Sequence, residues 1–134
     1  MNNIIVTVFT PTYNRVELLK RLYKSLIKQT NYCFEWVICD DCSTDDTLDY
    51  LRKLNNQAHM FPIRFFSLEK NGGKHRAINF GLSQAKGKLF FIVDSDDELV
   101  ENAIENIILW EKTIQSSKLL LDWVFVKVIL KIKS

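Results

Sequence analysis

The sequence predicts an α/β fold of three layers, with a mainly parallel sheet held between helices. Three observations carry that prediction. Four short apolar runs, rich in β-branched and aromatic residues, alternate with four segments whose apolar residues recur at helical spacing. Alternation of this kind joins parallel strands through crossover helices that cover the sheet's faces. The polar residues that fit neither pattern gather just after the apolar runs, where such sheets bind ligands.

Ile4–Phe9 is continuously apolar or β-branched, as in a strand buried on both faces. Thr10-Pro11-Thr12-Tyr13-Asn14 breaks it. Asn14 and Glu17 have the spacing of a capping box, and Val16, Leu19, Leu22, Tyr23, Leu26 and Ile27 follow at helical spacing. Phe34–Cys39 is the second strand. Ser43 or Thr44 is expected to cap a second helix that carries Leu48, Leu51 and Leu54. Ile63–Ser67 is the third strand. Gly72-Gly73 reads as a turn, because glycine reaches positive φ at little cost. Lys74–Ala85 is the third helix, with Ala77, Ile78, Gly81 and Ala85 facing inward. Leu89–Val93 is the fourth strand. Asn102–Ile114 is the fourth helix, with Ala103, Ile104, Ile107, Ile108 and Leu109 apolar. From Leu119 onward the composition favours strand. Trp36, Trp110 and Trp123 read as core, and His59, between Ala58 and Met60, as structural.

A chain of 134 residues makes one domain with one core. Its 47% hydrophobic and 25% charged residues exclude collagen-like, low-complexity and disordered classes. A net charge of +2 gives no case for nucleic acid. Three cysteines, an odd number, fit a reducing compartment better than a disulfide scaffold. Met1–Phe9 lacks a basic leader, so no secretory signal is expected. Leu119–Ile132 is broken by Asp122, Lys127 and Lys131, too charged to span a bilayer. A cytoplasmic domain is expected, with a place at a membrane surface left open.

Charge alternates along the chain. Asp40–Asp49 holds five aspartates and no base, and Arg64–Lys88 holds six cations against Glu69. From Leu89 to Glu105 there are six acids and no base. Asp94-Ser95-Asp96-Asp97 sets three carboxylates on one turn after a buried strand. They repel unless a cation sits among them, which suits Mg²⁺ or Mn²⁺. The plainer alternative is a helix start, where acids complement the dipole. Cys39-Asp40-Asp41-Cys42 has the spacing of a redox or metal pair. Its acids would raise a thiol pKa, however, and zinc lacks further ligands beyond Cys33 and two distant histidines. Asp40 and Asp41 then serve as acceptors for a ligand's N–H or hydroxyl groups. Asn71-Gly72-Gly73-Lys74-His75-Arg76 puts cations at a helix start and leans to phosphate, without the P-loop pattern. Tyr13 is a candidate for stacking on a base.

These blocks together closely resemble family 2 glycosyltransferases of the GT-A fold. Val8–Arg15, Glu35–Asp45, Asn71–His75 through Asn79 and Gly81, and Phe91–Asp97 agree with that family in order and spacing, across Ile4 to Ile114. The resemblance implies a Rossmann-like half that binds a nucleoside-diphosphate sugar, with uridine preferred. It implies that Pro11, Thr12 and Tyr13 hold the base, that Asp41 accepts from it with Asp40 beside it, and that Lys74 and His75 approach the diphosphate or base. Asp94-Ser95-Asp96 resembles the Asp-x-Asp motif, with Asp94 toward the ribose and Asp96 on a Mn²⁺ or Mg²⁺ ion. The implied reaction is inverting transfer of the sugar to a hydroxyl of a saccharide or lipid-linked acceptor, as in the synthesis of cell-surface polysaccharides.

In that family the general base and most of the acceptor site follow well after the Asp-x-Asp motif. This chain ends 37 residues after Asp97, so no residue is assigned as the base. A truncated donor-binding domain at 1–115 is expected, with a non-catalytic binding fragment or subunit as the alternative. The apolar tail at 116–134 is expected to pair two copies through 119–132. Two other α/β readings fit less well. A phosphoacceptor receiver needs acids after strand one, where Thr10-Pro11 stands, and a nucleotidyltransferase needs a glycine-rich basic loop there.

Overall fold

The computed structural model describes residues 3–115. Its elements run β1 (Val6–Thr12), α1 (Val16–Ile27), β2 (Phe34–Asp40), α2 (Thr47–Asn55), β3 (Ile63–Ser67), α3 (Lys74–Gln84), β4 (Leu89–Ile92) and α4 (Ala103–Gln115). All strand pairs are parallel, in the order β3-β2-β1-β4. The chain winds from β1 out to β3 and then returns to lay β4 on the other side of β1. That reversal opens a crevice at the carboxyl ends of β1 and β4.

The side-chain alternation of the strands sorts the core into two layers. Val6, Val8, Trp36, Ile38 and Phe91 point to one face, against Leu19, Leu22 and Leu26 of α1, Leu51 and Leu54 of α2, and Ile104 and Ile107 of α4. Phe9, Val37 and Cys39 point to the other face, against Ala77 of α3, with Ile78 and Phe80 packed beside it. Gly81 is where α3 comes closest to the sheet. A Cβ there would lie 2.2 Å from Cε1 of Phe9.

The strand predicted to stop at Phe9 runs on to Thr12. Pro11 lies within it, paired with Cys39. Successive peptides of a strand face opposite neighbours. The Phe9 carbonyl accepts from Val93 beside β4, and the Thr12 carbonyl accepts from Asp41 on the β2 side. Pro11, two residues past Phe9, therefore turns its hydrogen-less nitrogen toward β4, which has already ended at Ile92, and no ladder bond is lost. The Asn14–Glu17 capping box does not form, and Arg15 occupies the N-cap without a side-chain bond. Neither Ser43 nor Thr44 caps α2. Its N-cap is Asp46, and the Thr47 N–H and hydroxyl donate to Asp45 Oδ1 at 2.9 and 2.5 Å. Of the apolar residues of α4, Ala103, Ile104, Ile107 and Ile108 are buried, whereas Leu109 is 54% exposed.

Trp36 is core, and its Nε1 donates to Thr10 Oγ1 at 2.9 Å. Trp110 packs partly buried against the same layer. His59 is structural as expected. Its Nε2 lies 2.6 Å from the Leu54 carbonyl and must donate there, and its Nδ1 is hydrogen-bonded with the Tyr23 hydroxyl at 2.8 Å.

One buried charge was not anticipated. Glu35, fully buried on the α3 face of β2, accepts from Thr7 Oγ1 at 2.7 Å and from the Lys86 N–H at 2.8 Å. Arg64 donates to it through Nε at 3.2 Å and Nη2 at 2.8 Å, and also reaches the Gln84 carbonyl. The carboxylate thus ties β1, β2 and β3 to the turn that ends α3. No helix among the described residues is long and apolar enough to cross a membrane. The expected pairing tail at 119–132, with Trp123, lies outside the described residues.

Candidate functional site

The crevice at the ends of β1 and β4 holds a cleft of about 280 Å³. Pro11, Thr12 and Tyr13 form the β1 side, with Arg15 at the start of α1. Asp41 comes from the end of β2, Gly73, Lys74 and Ala77 from the start of α3, and Asp94, Ser95 and Asp96 from the loop after β4. The structure therefore gathers eight of the ten residues singled out as site residues in the sequence. Asp40 and His75 are not among the lining residues. Asp40 is fully buried, and its carboxylate accepts from the Ser43 N–H at 2.9 Å and the Ser43 hydroxyl at 2.5 Å. It shapes the loop rather than facing the cleft. His75 is exposed on the first turn of α3.

The start of α3 does present amides to an anion, as its glycines suggested, but the anion is part of the chain. Asp41 Oδ1 accepts from Gly72 N at 2.8 Å, and Oδ2 accepts from Gly73 N at 3.0 Å. Gly73 has φ +84°, a conformation that favours glycine. Each carboxylate oxygen has a second lone pair, so Asp41 keeps acceptor capacity where it lines the cleft.

Asn14 sits in the left-handed region, at φ 51°. Its Oδ1 accepts from the N–H groups of Thr44 at 2.8 Å and Asp45 at 3.2 Å, and its Nδ2 donates to Thr44 Oγ1. Its own N–H donates to Ser43 Oγ at 2.9 Å. These bonds clasp the loop carrying Tyr13 to the loop carrying Asp41. The redox reading of Cys39 and Cys42 finds a thiol poised against reactivity. Burial, then the charges of Asp41 and Asp40, push the Cys39 thiol up to about 11 despite Arg76.

Carboxylate oxygens of Asp94, Asp96 and Asp97 all lie within 4.8 Å of one another. The helix-start explanation for this cluster does not hold, because α4 begins only at Ala103. The turn is closed by Asp97 N donating to the Asp94 carbonyl at 3.0 Å, and Asp94 N donates to Asp97 Oδ2 at 3.2 Å. Lys74 Nζ reaches Asp94 Oδ1 at 2.7 Å, and Arg15 Nη1 lies 3.7 Å from Asp96 Oδ2. Three converging hard oxygens form a donor set that fits a hard divalent cation. One further atom invites a partner. Thr12 is 4% exposed, and its Oγ1 is a buried side-chain polar atom with no hydrogen bond. Such orphans are rare in folded proteins.

Arg15 and Ala77 were missed in the sequence. For Arg15 the signal is faint, since its partner Asp96 is 81 residues away and only the fold brings the two together.

Residues 7–112 match the family model described as glycosyl transferase family 2. The chain is 37% identical over 103 residues to the poly(ribitol-phosphate) β-N-acetylglucosaminyltransferase TarS of Staphylococcus aureus, covering 75% of this chain and 18% of TarS. It is 34% identical over 104 residues to the putative teichuronic acid biosynthesis glycosyltransferase TuaG of Bacillus subtilis, covering 75% of this chain and 39% of TuaG. The chain therefore spans well under half the length of these relatives. The crystal structure of TarS residues 1–349 with UDP-GlcNAc superposes with a TM-score of 0.73 at 34% identity, over 81% of this chain and 31% of that one. The Pyrobaculum calidifontis mannosyltransferase PcManGT, in complex with GDP-Man and Mn²⁺, superposes with a TM-score of 0.74 at 26% identity, over 82% of this chain and 33% of that one.

Proposed function

The chain belongs to glycosyl transferase family 2, and on that premise we propose that residues 1–115 form a donor-binding domain for a uridine diphosphate sugar, held with Mn²⁺ or Mg²⁺ and used for inverting transfer to an acceptor hydroxyl. The observation that carries the reading is the convergence in one cleft of an aromatic side chain, three carboxylates and two cations from four separate strand ends. Tyr13, 42% exposed at the cleft's edge, offers a ring face to the base. Asp41 accepts from the base with its remaining lone pairs, and the orphan hydroxyl of Thr12 supplies a further polar contact. Asp94 and Asp96 hold the cation, and Lys74 meets the diphosphate. A bound divalent cation would offset charge on the departing diphosphate.

Inverting attack needs a base to take the acceptor proton, and no described cleft residue is assigned that role. The acceptor is proposed to be a saccharide or lipid-linked polymer precursor. The names of the relatives, with poly(ribitol phosphate) and teichuronic acid among them, support a polymer. The choice of uridine draws on the UDP-GlcNAc complex of TarS. A second reading is donor binding without turnover by this stretch alone, since none of the described residues that line the cleft is assigned as the base.

Calorimetric titration of UDP with Mn²⁺, with EDTA, and into Asp96→Ala tests the proposal. Binding that requires the metal and disappears with Asp96 is expected. Absence of binding to both UDP and GDP would overturn it. Hydrolysis or transfer of UDP-GlcNAc by the chain would exclude the second reading.

A further inference from the structure

The acids of the β4 loop already have cationic partners, and those partners come from opposite walls of the cleft. Lys74, the first residue of α3, pairs with Asp94 at 2.7 Å, and Arg15, the N-cap of α1, approaches Asp96 at 3.7 Å. Both cations line the cleft. The side chains are about half exposed, 54% for Lys74 and 48% for Arg15, so each is free to swing on a long stem. We propose that Arg15 and Lys74 are exchangeable counter-ions: they hold Asp94 and Asp96 until a donor arrives, and then pass to the diphosphate as the divalent cation takes the carboxylates.

This deepens the donor-site reading and rests on it. A divalent cation alone must displace two ammonium or guanidinium groups and leaves them without partners. A cation arriving with a diphosphate gives them new ones, because both phosphates offer oxygens to a guanidinium fork and an ammonium. The pairs therefore oppose binding of the bare metal and favour binding of metal and nucleotide together. That is a coupling free energy between the two ligands, and it is reciprocal. It also assigns Arg15 to the diphosphate, a role that no motif in the sequence indicated.

The consequence is a pair of opposite shifts. Removing a cation should tighten binding of the metal alone and weaken binding of the metal–nucleotide pair. Half-exposed pairs are weak, so each single removal should change the affinity for Mn²⁺ alone by about threefold to fivefold. The experiment titrates Mn²⁺ into the nucleotide-free chain, reading free Mn²⁺ by electron paramagnetic resonance, and then titrates UDP at saturating Mn²⁺. It compares the wild type with Lys74→Ala, Lys74→Gln, Arg15→Ala and, as a control for net charge, Lys24→Ala on the exposed face of α1. Tighter Mn²⁺ with weaker UDP in the cleft variants, and no change in Lys24→Ala, is the expected result. Unchanged or weaker Mn²⁺ binding alongside weaker UDP would make the two cations simple phosphate ligands and overturn the exchange. Tighter Mn²⁺ with unchanged UDP would show that the cations are not handed on, and would overturn it too. If the wild type binds no UDP at all, the donor-site reading itself falls, and the exchange with it.

Discussion

Removing the carboxylate of Glu35 should destabilise the fold substantially, although the group lies outside the cleft. The group is fully buried and serves four donors, namely Thr7 Oγ1, the Lys86 N–H, and Nε and Nη2 of Arg64. In Glu35→Ala the hydroxyl and the amide lose an acceptor, and a guanidinium loses its counter-charge. Breaking a buried ion pair from one side costs about 3–5 kcal/mol. Arg64 is 26% exposed and keeps the Gln84 carbonyl at 2.6 Å, so it rehydrates in part. The expected loss is therefore at the low end, about 3 kcal/mol. With a urea slope of about 2 kcal/mol per molar, the unfolding midpoint should fall by roughly 1.5 M. Glu35→Gln keeps the shape and one acceptor oxygen and should lose about half as much. Because the group is buried, the loss should persist in high salt. A shift under about 0.5 kcal/mol for Glu35→Ala, at an unchanged slope, would refute the idea that this network fixes the α3–β4 turn.

Three further outcomes follow from particular contacts. Gly81→Ala should cost about 1–3 kcal/mol in chemical denaturation, because the new Cβ falls 2.2 Å from Phe9 Cε1, and Phe9→Leu should recover part of that loss. Asn14→Ala should weaken UDP binding at least about fivefold at saturating Mn²⁺ while the fold persists, because the clasp between the Tyr13 and Asp41 loops is lost. Asn14→Asp, which keeps the acceptor oxygen, should recover much of the affinity, and equal affinity in all three proteins would count against the clasp. Stability should decline as pH rises from about 9 to about 11. The unfolded chain releases the Cys39 proton near 9.0, whereas the folded chain holds it to about 11, so over that window the folded state binds more protons and deprotonation favours unfolding. Cys39→Ala should flatten this part of the profile.

The strands and helices were legible because their signals are local. Val6–Phe9 and Phe34–Cys39 are apolar runs that no other element explains, and helical spacing marks α1 and α4. Errors collect where a side chain serves a distant backbone. Asn14 and Ser43 look like helix caps in sequence, yet they bond across 29 to 31 residues or to a buried aspartate. Glu35 is the one charged residue within the otherwise apolar run Phe34–Cys39. Its burial depends on Arg64 and on an amide 51 residues away, neither of which sequence can pair with it. The cleft was legible in outline because each contributing cluster follows its own strand, and strand ends of a parallel sheet share one edge. Arg15 was not, because a single cation after a turn carries no mark of the acid it will face.

Asp41 ties these threads together and makes the sharpest demand on the cleft. Its carboxylate fills the amide cradle of Gly72 and Gly73 at the start of α3, which in many proteins is left open for a ligand's phosphate. With that cradle taken, the diphosphate of the proposed donor would meet the carboxylates of Asp41, Asp94 and Asp96 against, among the described lining residues, the cations Arg15 and Lys74. The balance is unfavourable to an anion until a divalent cation is added, so the metal dependence proposed above would follow from how Asp41 is used as much as from the acidic loop. Asp41→Ala should therefore have two effects of opposite sign. UDP binding with Mn²⁺ should weaken about tenfold or more, as the acceptor proposed for the base is lost. Inorganic pyrophosphate in EDTA should bind more tightly than to the wild type, because one negative charge is gone and two amides at the positive end of an 11-residue helix are freed. Calorimetry with pyrophosphate reads the second effect without any nucleotide. Equal or weaker pyrophosphate binding by a folded Asp41→Ala would mean that the cradle collapses when its internal anion is removed, and that the proposed metal requirement would have its source in the acidic loop alone.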